Sequence, residues 1–217
     1  MSPRSARART ARNERLVICI PIIHSQADMG AMAHSVRRVS AKKLGRDAWE
    51  RNVNVIDEMW QGLRDTVEGW ELPWDKVRLY QDGLPQCERE VEIVTTLAQA
   101  GSRNHQLLLS LMSRGAVLMG TESPDLLVEE YQLALEGLAA EDSDAAAPGT
   151  PEREARSRAL LARRDRYIAA RINESLRPGE IGLLFIGMLH APERCLARDI
   201  RVSHPIRRPE RPRREPR

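Results

Sequence analysis

Two short apolar runs decide what kind of fold this chain can adopt. Residues 16–23 read LVICIPII and residues 181–186 read IGLLFI. Neither run alternates apolar with polar residues, so each must be covered on both faces. That is the pattern of a strand inside a parallel sheet. Each is far shorter than the ~20 apolar residues that cross a bilayer. Shorter strand patterns occur at 76–80 (KVRLY), 116–119 (AVLM) and 199–203 (DIRVS).

Helical spacing fills the intervals. From Arg46 to Gly69 the residues Trp49, Val53, Ile56, Met59, Trp60, Leu63 and Val67 form one apolar face. The four tryptophans, Trp49, Trp60, Trp70 and Trp74, gather here and are expected to pack this helix and the loop after it. Further helices are predicted over 85–100, 104–114, 125–138 and 152–176, with a short one over 192–197. Ser25 or Asp28 can cap another that runs to about Val39. The order strand, helix, strand, repeated, predicts an α/β domain with a mostly parallel sheet and helices on both faces. Its crossovers should be right-handed. The last short strand is expected at an edge, where it can run antiparallel. Pro21 argues for a bulge or against a central place for the first strand.

One domain accounts for the 217 residues. It is expected to span 15–204, with an exposed linker at 140–151 (AEDSDAAAPGTP) and disordered basic tails at 1–14 and 205–217. Five arginines face one glutamate in residues 1–15, and six face two in 205–217. The net charge of +3 therefore hides an acidic body. Neither tail carries aromatics for base stacking, so nucleic acid is not an expected partner. Cys19, Cys87 and Cys195 show no metal or redox spacing, which suits a reducing cytoplasm. The Arg-rich start leads into a run that reads as a first strand, not a leader peptide. No membrane partner is expected. The expected partners are a small-molecule or peptide substrate, and a homo-oligomer is allowed.

Ligands of open α/β sheets bind outside the carboxyl ends of the strands. Four strands here run into groups suited to chemistry: His24, Asp82, Glu122 and His190. Each has a plainer reading. A strand-end histidine can simply be packed. Asp82 precedes Gly83, which is ordinary turn chemistry. Glu122, in GTESP, can serve a helix N-terminus. Ser102, Arg103, Asn104 and His105 open a helix that could hold an anion, or Ser102 could merely cap it. The run Arg163, Arg164, Asp165, Arg166 lies on the long helix. Tyr167, Ile168 and Ile172 mark its buried face, so Arg164 or Asp165 can point to the sheet edge.

The C-terminal third, RRDRYIAARINESL followed by GEIGLLFIGMLH, resembles the closing signature of a known superfamily. That superfamily includes TraB-domain proteins, Tiki metalloproteases, erythromycin esterases and ChaN-type haem-binding proteins. Its signature pairs an Arg-Asp or Arg-Asn helix element, here Arg164 and Asp165, with a strand ending in Gly-x-x-His, here Gly187 and His190. Members also begin with a strand ending in Gly-x-x-His. The counterpart is PIIH, with Pro21 in the glycine position and His24 kept. Glu122 fits a glutamate after an internal strand. The resemblance implies a hydrolase-like site, with some relatives binding haem.

Two mechanisms suit these groups. His24, His190 and Glu122 could ligate a divalent metal ion that activates water. Alternatively, a carboxylate orients a histidine that acts as general base without metal. In either, Glu122 is ligand or base, Asp82 a fourth member, and Arg164 a substrate or oxyanion contact. There is no HExxH and no Cys/His cluster. The reading is a cytoplasmic hydrolase, with metal assistance the favoured mechanism and a divalent metal ion the expected cofactor. Its rival is a non-catalytic domain that binds a small anion or haem in the same cleft.

Overall fold

The computed structural model describes residues 14–23, 45–142 and 150–206. Nearly all of the expected tails at 1–14 and 205–217, the helix after His24, and most of the 140–151 linker lie outside the described residues. Five strands form one sheet: β1 (Arg15–Ile22), β2 (Val77–Gln81), β3 (Val117–Met119), β4 (Ile181–Gly187) and β5 (Ile200–Ser203). Their order is β3-β2-β4-β1-β5, and every pair is parallel. Among the described residues five α-helices accompany them: α1 (Arg46–Glu68), α2 (Glu90–Gln99), α3 (Arg103–Ser113), α4 (Pro124–Asp142) and α5 (Pro151–Ser175). This is the α/β fold that the two apolar runs demand.

Both faces of the sheet are covered. Leu16, Ile18, Ile20 and Ile22 of β1 join Val77, Leu79, Leu183 and Phe185 on one side, under Trp60 and Val67 of α1 and Leu107, Leu108 and Leu111 of α3. The alternate residues, Val17, Cys19, Tyr80, Leu184 and Ile186, meet Ile168 and Ile172 of α5 on the other. Period-2 alternation thus feeds two separate cores, which is why β1 and β4 read as unbroken apolar runs. Trp60 and Trp70 are buried in the first core, as the tryptophan cluster predicts.

Four details depart from the sequence reading. β5 is parallel to β1, not antiparallel. About a dozen residues separate β4 from β5, enough for a crossover that returns past α5. Arg15 fixes the return by pairing with Asp199 through two 2.8 Å bonds. β1 lies inside the sheet despite Pro21, and no bulge interrupts its register with β4. β5 pairs only with residues Arg15 to Ile18, so no strand among the described residues faces Pro21 on that side. α4 runs to Asp142, past the expected start of the linker, because Ala139, Ala140 and Glu141 are good helix formers. Finally, α2 begins at Glu90 rather than Pro85. Glu88 sits at φ 63°, and Pro85 bridges to Glu122. Residues 85–89 are thereby spent on holding the loop after β3.

No helix among the described residues is long and apolar enough to cross a membrane. None of Cys19, Cys87 and Cys195 is in a disulfide.

Candidate active site at the carboxyl ends of the strands

Asp82 is the first residue past β2. Its N–H donates to Phe185 O at 2.9 Å, carrying the β2–β4 ladder one step further. Alternation from Tyr80 then turns its carboxylate toward α5. Oδ2 accepts the Gly187 N–H at 2.9 Å, and Oδ1 accepts Arg164 Nη2 at 2.8 Å. Asp82 is therefore more than a turn residue. Gly83, at φ 79°, makes the turn itself, and its N–H donates to Glu122 Oε1 at 2.8 Å.

Glu122 reaches the same place from β3. Its N–H donates to Leu84 O at 3.0 Å, and its carbonyl accepts the Gln86 N–H at 2.9 Å. The two strand-end loops are zipped together, and the Glu122 side chain is fully buried. Arg164 grips it with two nitrogens: Nε donates to Oε2 at 2.7 Å and Nη2 to Oε1 at 2.6 Å. Glu122 thus serves this cation rather than a helix N-terminus. Close approach here requires Gly120. A Cβ at that position would lie 2.5 Å from Glu90 Oε1 and 2.7 Å from the Gln86 backbone. Gly120→Ala is expected to cost about 1–3 kcal/mol in a urea denaturation, because the backbone must move to admit the methyl.

Arg164 lies in the row Leu160, Arg164, Ile168, Ile172 along α5, all four buried. The i,i+4 spacing that buries three apolar residues forces the guanidinium in with them. It bonds Asp82 and Glu122, and also Glu130 of α4 at the rim. The next residue, Asp165, points to β4. Its Oδ1 lies 2.6 Å from His190 Nδ1, and its Oδ2 accepts the Ala191 N–H at 3.0 Å. His190 is 5% exposed. Its own N–H closes a turn onto Gly187 O at 3.1 Å. Nε2 sits 3.6 Å from Asp82 Oδ1, too long for a hydrogen bond.

Asp82, Glu122, Arg164 and His190 therefore meet in one buried cluster. His24 lies outside the described residues. Asp165 has no separate role in the sequence reading, yet it is the group that orients His190. Its position beside an arginine held in the apolar row was the available signal. The Ser102–His105 segment belongs elsewhere: Ser102 caps α3 and contacts His105 Nδ1 at 2.6 Å, and Arg103 pairs with Asp57.

The charges do not balance. Among the described residues, Asp82, Glu122 and Glu130 all bond the one Arg164 guanidinium while Asp165 faces His190, so the cluster favours an added proton. Burial pushes the Glu122 carboxyl above its ordinary range, against the pull of Arg164, and the Asp82 charge adds to the rise. Burial works against a charged His190 ring. The Asp165 bond and the Asp82 charge overcome it, and the ring titrates above the usual 6.5. Arg164 stays a cation throughout.

Both shifted groups hold protons more tightly folded than unfolded. Glu122 contributes stability that is lost as pH rises above 4.5 through its folded pKa. His190 contributes stability that is complete below 6.5 and is lost as pH rises through its raised folded pKa. Unfolding free energy should therefore fall as pH rises above 6.5, and His190→Gln should flatten that slope.

The described side chains alone do not suit a divalent cation. Both Glu122 oxygens are engaged by Arg164 and Gly83, and Arg164 shares the Asp82 oxygen that faces His190. No group of three or more His, Cys, Asp or Glu among the described residues is arranged to hold a metal. Comparisons with protein families, curated proteins and solved structures return no match to this chain.

Proposed function

We propose that the protein is a hydrolase in which His190 is the acid/base group. The Asp165–His190 hydrogen bond, buried at the strand edge where α/β ligands bind, carries this reading. Asp165 accepts from Nδ1–H in the neutral ring, which fixes the tautomer and leaves Nε2 as the basic atom. Arg164 holds Asp82 and Glu122 in place and keeps two buried carboxylates compatible with folding. Asp82, 3.6 Å from Nε2, stabilises the ring when it takes a proton from water or substrate. The Asp165 and Asp82 carboxylates both favour the imidazolium, so the ring accepts a proton more readily than a free imidazole does. The resemblance to the TraB, Tiki and erythromycin esterase group favours hydrolysis over other proton-transfer chemistry. Three cysteines outside any disulfide suit the cytoplasm.

Turnover of p-nitrophenyl esters, p-nitrophenyl phosphate and chromogenic peptides tests the reading. One substrate class should be hydrolysed, and His190→Gln should slow it by about 10²–10⁴-fold. A folded wild-type protein inert toward all three classes would leave a non-catalytic ligand or haem pocket as the better account. The excess negative charge of the cluster favours one further reading, a metal-assisted hydrolase with His24 and His190 as ligands. Stoichiometric metal in purified protein, lost in both His24→Ala and His190→Ala, would establish it.

A further inference from the structure

An apolar cleft of about 300 Å³ opens at the same sheet edge. Ile22 and Ile23 at the end of β1, Met59, Gly62 and Leu63 of α1, and Met188 after β4 contribute to its walls. It opens on the α1 side of that edge, and the strand ends connect it to the His190 turn on the α5 side. Ile22 pairs in register with Gly187, whose N–H binds Asp82. Met188 lies inside the turn that His190 closes onto Gly187. The wall is anchored, because the buried Trp60 donates its indole N–H to Ile23 O at 3.1 Å.

Gly62 is the informative residue. It stands in the middle of a 23-residue helix, where glycine is the weakest former short of proline. It has no left-handed φ to justify it, and a Cβ built there meets nothing within 4 Å. Neither backbone geometry nor packing requires the glycine, but a side chain there would enter the cleft. Thr66 offers no competing polarity, since its hydroxyl donates to Gly62 O at 2.7 Å. The cleft is about twice the ~150 Å³ apolar cavity that accepts a benzene ring.

Resting on the hydrolase reading, we infer that this cleft seats the apolar acyl arm of a neutral ester or amide substrate, with the scissile bond toward His190. The electrostatics fit that direction. Hydrolysis adds water across the acyl bond, the leaving alcohol or amine takes one proton, and the acid product ionises. The new carboxylate then lies beside a cluster already short of positive charge, which repels it.

Uptake of neutral n-alkanols by wild-type protein tests the subsite apart from turnover. Saturable binding is expected, tightening about fourfold per methylene from butanol to hexanol. Gly62→Leu should weaken hexanol about tenfold or more while melting no lower than wild type. Met188→Trp, which fills the cleft from another element, should weaken it likewise. A Gly62→Leu protein that binds hexanol as wild type does would overturn the inference, as would affinity independent of chain length or no saturable uptake. Alkanol binding without hydrolysis of any ester, phosphate or peptide would sink the enzyme reading alone. Ester hydrolysis indifferent to Gly62→Leu would sink the subsite alone.

Discussion

Replacing Arg164 with methionine is expected to remove about 3–5 kcal/mol of unfolding free energy, a large share of a typical domain's stability. The loss comes from what remains. Glu122 is fully buried and would keep only the Gly83 N–H among its described partners, and Asp82 would keep the Gly187 N–H. Two carboxylates without their shared cation must then take up protons or draw in water. Methionine matches the guanidinium stem in length and sits well in the row with Ile168 and Ile172, so packing contributes little to the effect. Two controls separate charge from shape. Acidification should restore part of the lost stability in the Arg164→Met protein, because protonated carboxyls are far cheaper to bury. Adding Glu122→Leu should restore part of it at neutral pH, since removing both partners of a buried pair costs much less than removing one. Urea denaturation of the three proteins across pH is the measurement. Equal destabilisation at all pH values would mean that the arginine acts through packing.

Asp165→Asn carries the second large effect, and on catalysis rather than folding. Asp165 accepts with both oxygens, from the His190 side and from the Ala191 N–H. An asparagine has one accepting oxygen and must choose. If it keeps Ala191, its amide N–H₂ faces Nδ1, which can then only accept, and the ring proton moves to Nε2. The atom assigned to take a proton would already carry one. Turnover should fall by about 10²–10⁴-fold, with KM changed far less than kcat. The His190 pKa should also fall, because the bond that offsets burial is gone. A merely structural Asp165 would lower stability without moving the pH profile of the surviving activity.

The fold was legible because its strongest signals are local. LVICIPII and IGLLFI cannot be half-exposed, and a sheet buried on both sides is nearly always built with parallel crossovers. β5 was harder to read, since a four-residue strand carries no mark of its direction. That direction is set by Arg15 and Asp199, 184 residues apart in sequence. Residues 85–89 look helical by composition, yet their backbone is claimed by the Glu122 loop, a partner no window of sequence includes. In the site, strand-end position alone picked out Asp82, Glu122 and His190. Their roles stayed hidden because each depends on α5. Arg164 reads as a solvated charge until its spacing with Leu160, Ile168 and Ile172 is given weight. Once Arg164 is inward, Asp165 must follow the same turn of helix to β4.

The central claim is that Asp165 and Asp82 hold a buried His190 ready to be protonated at the strand edge. A nitrogen-15 NMR titration of the His190 ring, in wild type and in Asp165→Asn, tests it most directly. The account predicts a neutral ring protonated at Nδ1, a midpoint above 6.5 in wild type, and a lower midpoint in the variant. A midpoint at or below 6.5 that does not respond to Asp165→Asn would contradict it.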